Sequence, residues 1–150
     1  MKKFRVYIDT SILGGCEDEE FSVASLKLVD CIRSGEFKVL VSDLLVRELS
    51  LAPERIKGIL QSIPLENIEQ LSETEDAIGL QRAYIGARIL GKASLNDALH
   101  VAIATVARAD MIVSWNFKHI VHFDKIRMFN AVNLREGYGI IDIRSPLEVI

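Results

Sequence analysis

The sequence predicts an α/β protein: a parallel central sheet flanked by helices on both faces. Three observations carry that reading. Short runs rich in β-branched and aromatic residues, at 4–8, 37–41 and 111–114, alternate with stretches of helical period, the signature of strand–helix–strand units. Residues 95–109 are apolar almost all round, so that helix belongs at the centre and buried. The length of 150 residues, with 49% apolar and 26% charged side chains, suits a single domain over 1–150 with a core of its own.

The elements follow in order. The first run, Phe4-Arg5-Val6-Tyr7-Ile8, stops at Asp9-Thr10-Ser11 and reads as a buried strand entering a loop. Residues 21–34 form a helix with Lys27, Asp30 and Arg33 on its wet face and Gly35 as its stop. Residues 37–41 are a second buried strand, after which Ser42 caps a short helix over 43–50 that carries Glu48. Pro53 opens another short helix ending before Pro64, and residues 65–71 are ambiguous, a short strand being one reading. A long amphipathic helix over 73–90 is closed by Gly91; the buried helix over 95–109 and a strand over 111–114 come next. Residues 115–122 read as a turn or short helix. From Ala131 the pattern weakens, with one more strand at 140–143 and Pro146 in a terminal extension.

Composition narrows the function classes. A net charge of −3 argues against a generally basic nucleic-acid binder and fits a chain that gathers carboxylates in one place. Cys16 and Cys31 have neither metal-ligand spacing nor a disulfide framework. Met1-Lys2-Lys3 precedes only a short apolar stretch, and no run nears the roughly 18 residues of a membrane span. A cytoplasmic protein with no membrane association is expected.

Three carboxylates hold comparable places in successive units: Asp9 after the first strand, Glu48 on the helix after the second, and Asp97 in the first turn of the buried helix. Asn116 follows the strand at 111–114. Strand exits in a parallel sheet share one edge, so these residues can converge there. Acidic oxygens with a carboxamide form a hard-ligand set suited to Mg²⁺ or Mn²⁺. Two carboxylates about 5 Å apart repel by roughly 3 kcal/mol at an effective dielectric near 20. Three such pairs approach about 10 kcal/mol as an upper bound, comparable to a small domain's whole stability. Converged carboxylates must therefore take up protons, splay apart or hold a divalent ion. Each residue also has a structural alternative: Asp9 as a turn former, Glu48 as a solvated helix residue, and Asp97 as the acid of a capping box with Ser94.

Tyr7-Ile8-Asp9-Thr10-Ser11, Leu45-Val46-Arg47-Glu48-Leu49, the stretch from Asn96 to Ala104 and that from Ile112 to Lys118 resemble, in order and spacing, the four signature segments of PIN domains. The resemblance covers roughly the first 120 residues, and the segment 123–150 lies outside it as a C-terminal extension. It implies a three-layer α/β/α fold and a metal-dependent nuclease, an endoribonuclease acting on RNA and similar to the VapC toxins of toxin–antitoxin pairs. It also implies Asp9, Glu48 and Asp97 as catalytic metal ligands for Mg²⁺ or Mn²⁺, with a hydroxyl of the Asp9-Thr10-Ser11 turn, preferably Ser11, in support. The implied partners are a cognate antitoxin and a second copy of the chain in a homodimer. Many relatives carry aspartate where this chain has Asn116, which removes one negative charge from the fourth ligand position and bears on turnover more than on fold.

His100, three residues after Asp97 on the same helical face, reads either as a group hydrogen-bonded to a ligand or as a core histidine. His119 and His122 lack the acidic or cysteine neighbours of a zinc site. Trp115 and Phe117 could stack bases or pack the core. Arg5, Arg47, Arg82, Arg88, Lys92, Lys118 and Lys125 are candidate phosphate contacts. The main rival reading is a catalytically silent PIN fold that binds RNA or protein, favoured by Asn116. A haloacid-dehalogenase-like phosphatase needs a second acid where Ser11 stands.

Overall fold

The computed structural model describes residues 2–150. Strands β1 (Phe4–Ile8), β2 (Phe37–Ser42), β3 (Ile68–Leu71), β4 (Met111–Val113) and β5 (Asp142–Arg144) form one sheet in the order β3-β2-β1-β4-β5. Every pairing is parallel. The helices are α1 (Thr10–Gly15), α2 (Ser22–Arg33), α3 (Asp43–Leu49), α4 (Glu54–Gln61), α5 (Glu75–Gly86), α6 (Leu95–Val106) and α7 (Phe123–Arg135).

Strand side chains alternate between two cores, as period-2 geometry requires. Val6, Ile8, Val39, Val41 and Val113 pack with Ile12, Leu28 and Ile32 from α1 and α2. Tyr7, Leu40, Ile112 and Ile143 pack on the other face with Leu80, Tyr84, Ile103 and Phe129 from α5, α6 and α7. Fully burying each aliphatic or aromatic side chain contributes about 1.5–3 kcal/mol, so helices are held to both faces. The sheet is the expected three-layer α/β/α arrangement. Residues 98–105 of α6 are all buried, as their apolar sequence requires.

Several boundaries differ from expectation for definite reasons. Helix α5 ends at Gly86, and Gly91 is extended rather than a helix stop. The left-handed residue that ends α5 is Arg88, at φ 60°. Arg88 N–H bonds to the Ile85 carbonyl and Ile89 N–H to the Tyr84 carbonyl, closing the helix end with buried Ile89 against it. The expected stop at Gly35 is present, at φ 83°. Helix α1 begins immediately after Asp9, where the sequence suggested a loop.

The segment 123–150 contributes α7 and β5 to the core. Its apolar period is weak because α7 turns two asparagines inward. Asn133 is fully buried and accepts the Tyr84 hydroxyl proton; Asn130 bonds to both the carbonyl and the N–H of Ile141, beside β5. Pairing places β5 at Asp142–Arg144, two residues beyond the expected start. No helix among the described residues is long and apolar enough to cross a membrane.

Candidate active site

The strand order places β1 beside β4, where crossovers run to opposite sides and the carboxyl ends of parallel strands leave a crevice. Ile8 pairs with Val113, so Asp9 and Ser114 are the next residues out on adjacent strands. Asp9 has extended backbone (φ −95°, ψ 178°) and is the N-cap of α1, yet its side chain makes no capping bond. Its Oδ1 accepts from Ser11 Oγ at 2.5 Å and its Oδ2 from Ser114 Oγ at 2.7 Å. Each hydroxyl also accepts a backbone N–H: that of Trp115 at Ser11, and that of Asn116 at Ser114. Both hydroxyl protons are thereby aimed at the carboxylate. Asp9 is only 4% exposed. Burial raises its pKa; the nearby imidazole of His100 and the two hydroxyls oppose that rise, and the charge of Asp97 adds to it.

Glu48 is the second-to-last residue of α3. Its Oε1 accepts from Thr10 Oγ1 at 2.6 Å and from His100 Nε2 at 2.6 Å. His100 is 2% exposed, and its Nδ1 lies 2.6 Å from the Tyr7 hydroxyl, which lies 2.8 Å from Ser42 Oγ. Ser42 Oγ also accepts the Leu45 N–H as the expected cap of α3. One assignment of protons satisfies the whole chain: Ser42 donates to Tyr7, Tyr7 to Nδ1, and Nε2–H to Glu48. Burial pushes the Glu48 pKa up, but the bonds from His100 and Thr10 outweigh it and hold the group below the usual glutamate range. Burial also holds the Tyr7 phenol well above its ordinary pKa, keeping it protonated.

Asp97 lies in the first turn of α6, half-buried, on the edge of a cavity of about 270 Å³ lined by residues 93–97. Ser94 makes no side-chain cap bond, so the capping-box alternative for Asp97 is absent. Asn116 behaves differently from the acids. Its side-chain oxygen accepts the His119 N–H at 2.9 Å and closes the turn after β4, while its backbone N–H serves the Asp9 network through Ser114.

Among the described residues, no three His, Cys, Asp or Glu side chains form a ready ligand group for a metal ion. Mg²⁺-type ions ask for less: one or two carboxylates, with water and phosphate oxygens completing the shell. Asp9 and Asp97 are hard oxygen donors whose charges already oppose each other. Each Asp9 oxygen retains a lone pair beyond the one its hydroxyl occupies. This donor set fits a hydrated divalent ion.

The remaining candidates separate. Trp115 is 7% exposed and donates from Nε1 to Ser25 Oγ, whereas Phe117 is 46% exposed. Arg5 is no phosphate contact here: it lies at the opposite edge of the sheet in a two-pronged bond to Glu69. Arg47 pairs with Glu73, and Lys125 donates to the Ile89 carbonyl. Arg82, Arg88, Lys92 and Lys118 are exposed. Sequence reasoning passed over Tyr7 and Ser114. A phenol two residues before Asp9 on the same strand face, and a serine directly after β4, are the signals that point to them.

No family model matches the sequence, and no curated protein matches it. Solved structures match along nearly its whole length. The chain is similar to VapBC2 from Rickettsia felis, solved bound to a DNA fragment from its promoter, at 14% identity and TM-score 0.58, covering 95% of this chain and 98% of that one. FitAcB from Neisseria gonorrhoeae aligns at 16% identity and TM-score 0.59, with the same coverage. DNA-bound VapBC from Salmonella typhimurium aligns at 18% identity and TM-score 0.57, covering 95% and 98%. The likeness concerns the fold: this chain has the PIN-like architecture expected from its four segments.

Proposed function

We propose that this PIN-like chain is a metal-dependent nuclease, an endoribonuclease that hydrolyses RNA phosphodiesters. The observation that carries the reading is Asp9: a buried carboxylate at the sheet's switch point, held only by hydroxyl donors and facing the charge of Asp97. A structural carboxylate buried this deeply pairs with a cation or takes up a proton; one kept ready for a cation is left as Asp9 is.

Asp9 and Asp97 would hold Mg²⁺ or Mn²⁺, which supplies Lewis acidity toward a phosphate oxygen and makes water acidic enough to attack at neutral pH. Ser11 and Ser114 fix the Asp9 carboxylate plane. Glu48, ionised at neutral pH and anchored through Oε1, orients the attacking water with its other oxygen and receives its proton. Attack by water breaks the bond to the 3′ oxygen, so the products are a 3′-hydroxyl and a 5′-phosphate. Asn116 supports the site from its turn. The proposed setting is cytoplasmic, with a homodimer and a cognate antitoxin as protein partners; the antitoxin is suggested by neighbours described as toxin–antitoxin or VapBC complexes.

The test is incubation of purified protein with single-stranded RNA in Mn²⁺ and in chelator. Cleavage only with metal, leaving 5′-phosphate ends, is expected. Cyclic 2′,3′-phosphate ends, or cutting unaffected by chelator, would overturn the mechanism. A second reading, a catalytically silent RNA- or protein-binding module, is favoured by the engagement of the Asn116 oxygen with His119. RNA binding without cleavage under all metals would select it.

A further inference from the structure

Beside Asp9 lies a cavity of about 400 Å³ whose walls include Ser11, Gly14, Asp18, Phe21, Trp115 and Asn116. We propose that it seats one unpaired nucleobase of a single-stranded nucleic acid, which deepens the nuclease reading and rests on it. Four features point to a base rather than to backbone phosphate.

The first is an aromatic wall. Phe21 stacks on Trp115 at 4.2 Å between ring centres and 23° between planes. Trp115 is fixed by its bond to Ser25, so the wall is rigid. Flat π-faces bind bases of any sequence. The second is room. A Cβ added at Gly14 would meet nothing within 4 Å, which leaves α1 bare where the cavity opens. Gly15 is different, since a Cβ there would come within 2.6 Å of Ser25 Oγ and 2.8 Å of Trp115 Nε1. Gly15 lets α1 close on the tryptophan, and Gly14 leaves the slot open.

The third feature is charge. Asp18 is the ionisable group in the wall, so the cavity repels phosphate and favours a neutral ring offering amino or imino hydrogens. Its Oδ1 already accepts the N–H groups of Glu20 and Phe21, and no partner of Oδ2 is found among the described residues. The fourth is continuity with the chemistry. Ser11 lies in both the cavity and the Asp9 network; Trp115 N–H bonds Ser11, and Asn116 N–H bonds Ser114. A base held here places its strand across the carboxylates.

Trp115 is the sole tryptophan, so its fluorescence reports on this cavity alone. The experiment titrates the full chain, in chelator, with short single-stranded RNA and DNA oligonucleotides, with duplexes, and with inorganic phosphate. Single strands should change the emission saturably, while duplex and phosphate should not. Phe21→Ala should weaken binding about tenfold or more, the loss of one stacked base. Because Phe21 also supports Trp115, Gly14→Leu is the second variant: it fills the slot from an open helical position and should weaken binding to a similar degree with an unchanged melting temperature. Unchanged affinity in folded Gly14→Leu, or an equal response to phosphate or duplex, overturns the proposal. Failure of Mn²⁺-dependent cleavage in wild type would overturn the nuclease reading while leaving base binding measurable, so the two failures are distinguishable.

Discussion

The two ends of β1 carry charge in opposite ways. At the amino end, Arg5 donates Nε and Nη2 to the two oxygens of Glu69 at 2.9 and 2.6 Å, and Nη1 to the carbonyls of Ala107 and Arg108. Its backbone N–H bonds Asp110, so Arg5, Glu69 and Asp110 each have a partner. At the carboxyl end, Asp9 is more deeply buried yet is held by two hydroxyls, and Glu48 is held by one threonine and one histidine. One strand thus ends in a closed ion pair on one side and an excess of negative charge on the other. Under the proposed nuclease reading, the open end is the one that would take a cation and a phosphate.

The largest expected effect breaks the open end. Asp9→Asn should reduce metal-dependent cleavage to background while raising the denaturation midpoint at neutral pH, because a desolvated charge is removed. The sign follows from linkage. The folded pKa of Asp9 is raised, so the native state holds its proton more tightly than the unfolded chain. Its contribution is therefore greatest at low pH and is lost as pH rises through the raised pKa. Glu48 and Glu69, with depressed pKa values, stabilise at neutral pH and lose that contribution as pH falls below the usual glutamate range. Urea midpoints from acid to neutral pH should rise more steeply in Asp9→Asn than in wild type; an identical pH profile would sink this assignment.

Next in size is Tyr7→Phe, which keeps the ring in the core and deletes the bond that holds His100 against Glu48. A fall in kcat of about 10- to 100-fold is expected, as for loss of a group that orients a ligand, with KM little changed and a stability cost of about 1–2 kcal/mol. A parallel rise in KM, or no change in kcat, would show that the chain from Ser42 to Glu48 does not position the acid.

The smallest effect should come from the closed end. Arg5→Met preserves the aliphatic stem but leaves Glu69 unpaired. A loss of about 1–2 kcal/mol in stability is expected, with cleavage within about twofold of wild type, the change expected of a residue that touches neither substrate nor site. A large drop in activity at unchanged stability would erase the contrast between the two ends.

Much of the fold was legible in the chain. Strand runs at 4–8 and 37–41, the all-round apolar α6 and the stop at Gly35 appear where pattern and turn chemistry put them. Helix α7 was hidden because Asn130 and Asn133 occupy inward positions that a period reading assigns to apolar residues. The end of α5 was misplaced because Arg88, not Gly91, takes the left-handed conformation.

By itself, the sequence determined the alternation of strands and helices and the placement of Asp9, Glu48 and Asp97 near strand exits, since these follow from local periodicity and spacing. The tertiary structure decided what each of these side chains meets. It turned the Asp9 side chain away from its capping role toward Ser114, 105 residues away. It also tied Glu48 to His100 across 52 residues and set Asn116 to close its own turn. A hydrogen bond between distant segments depends on strand register and crossover, and neither is written in the pattern of any one segment.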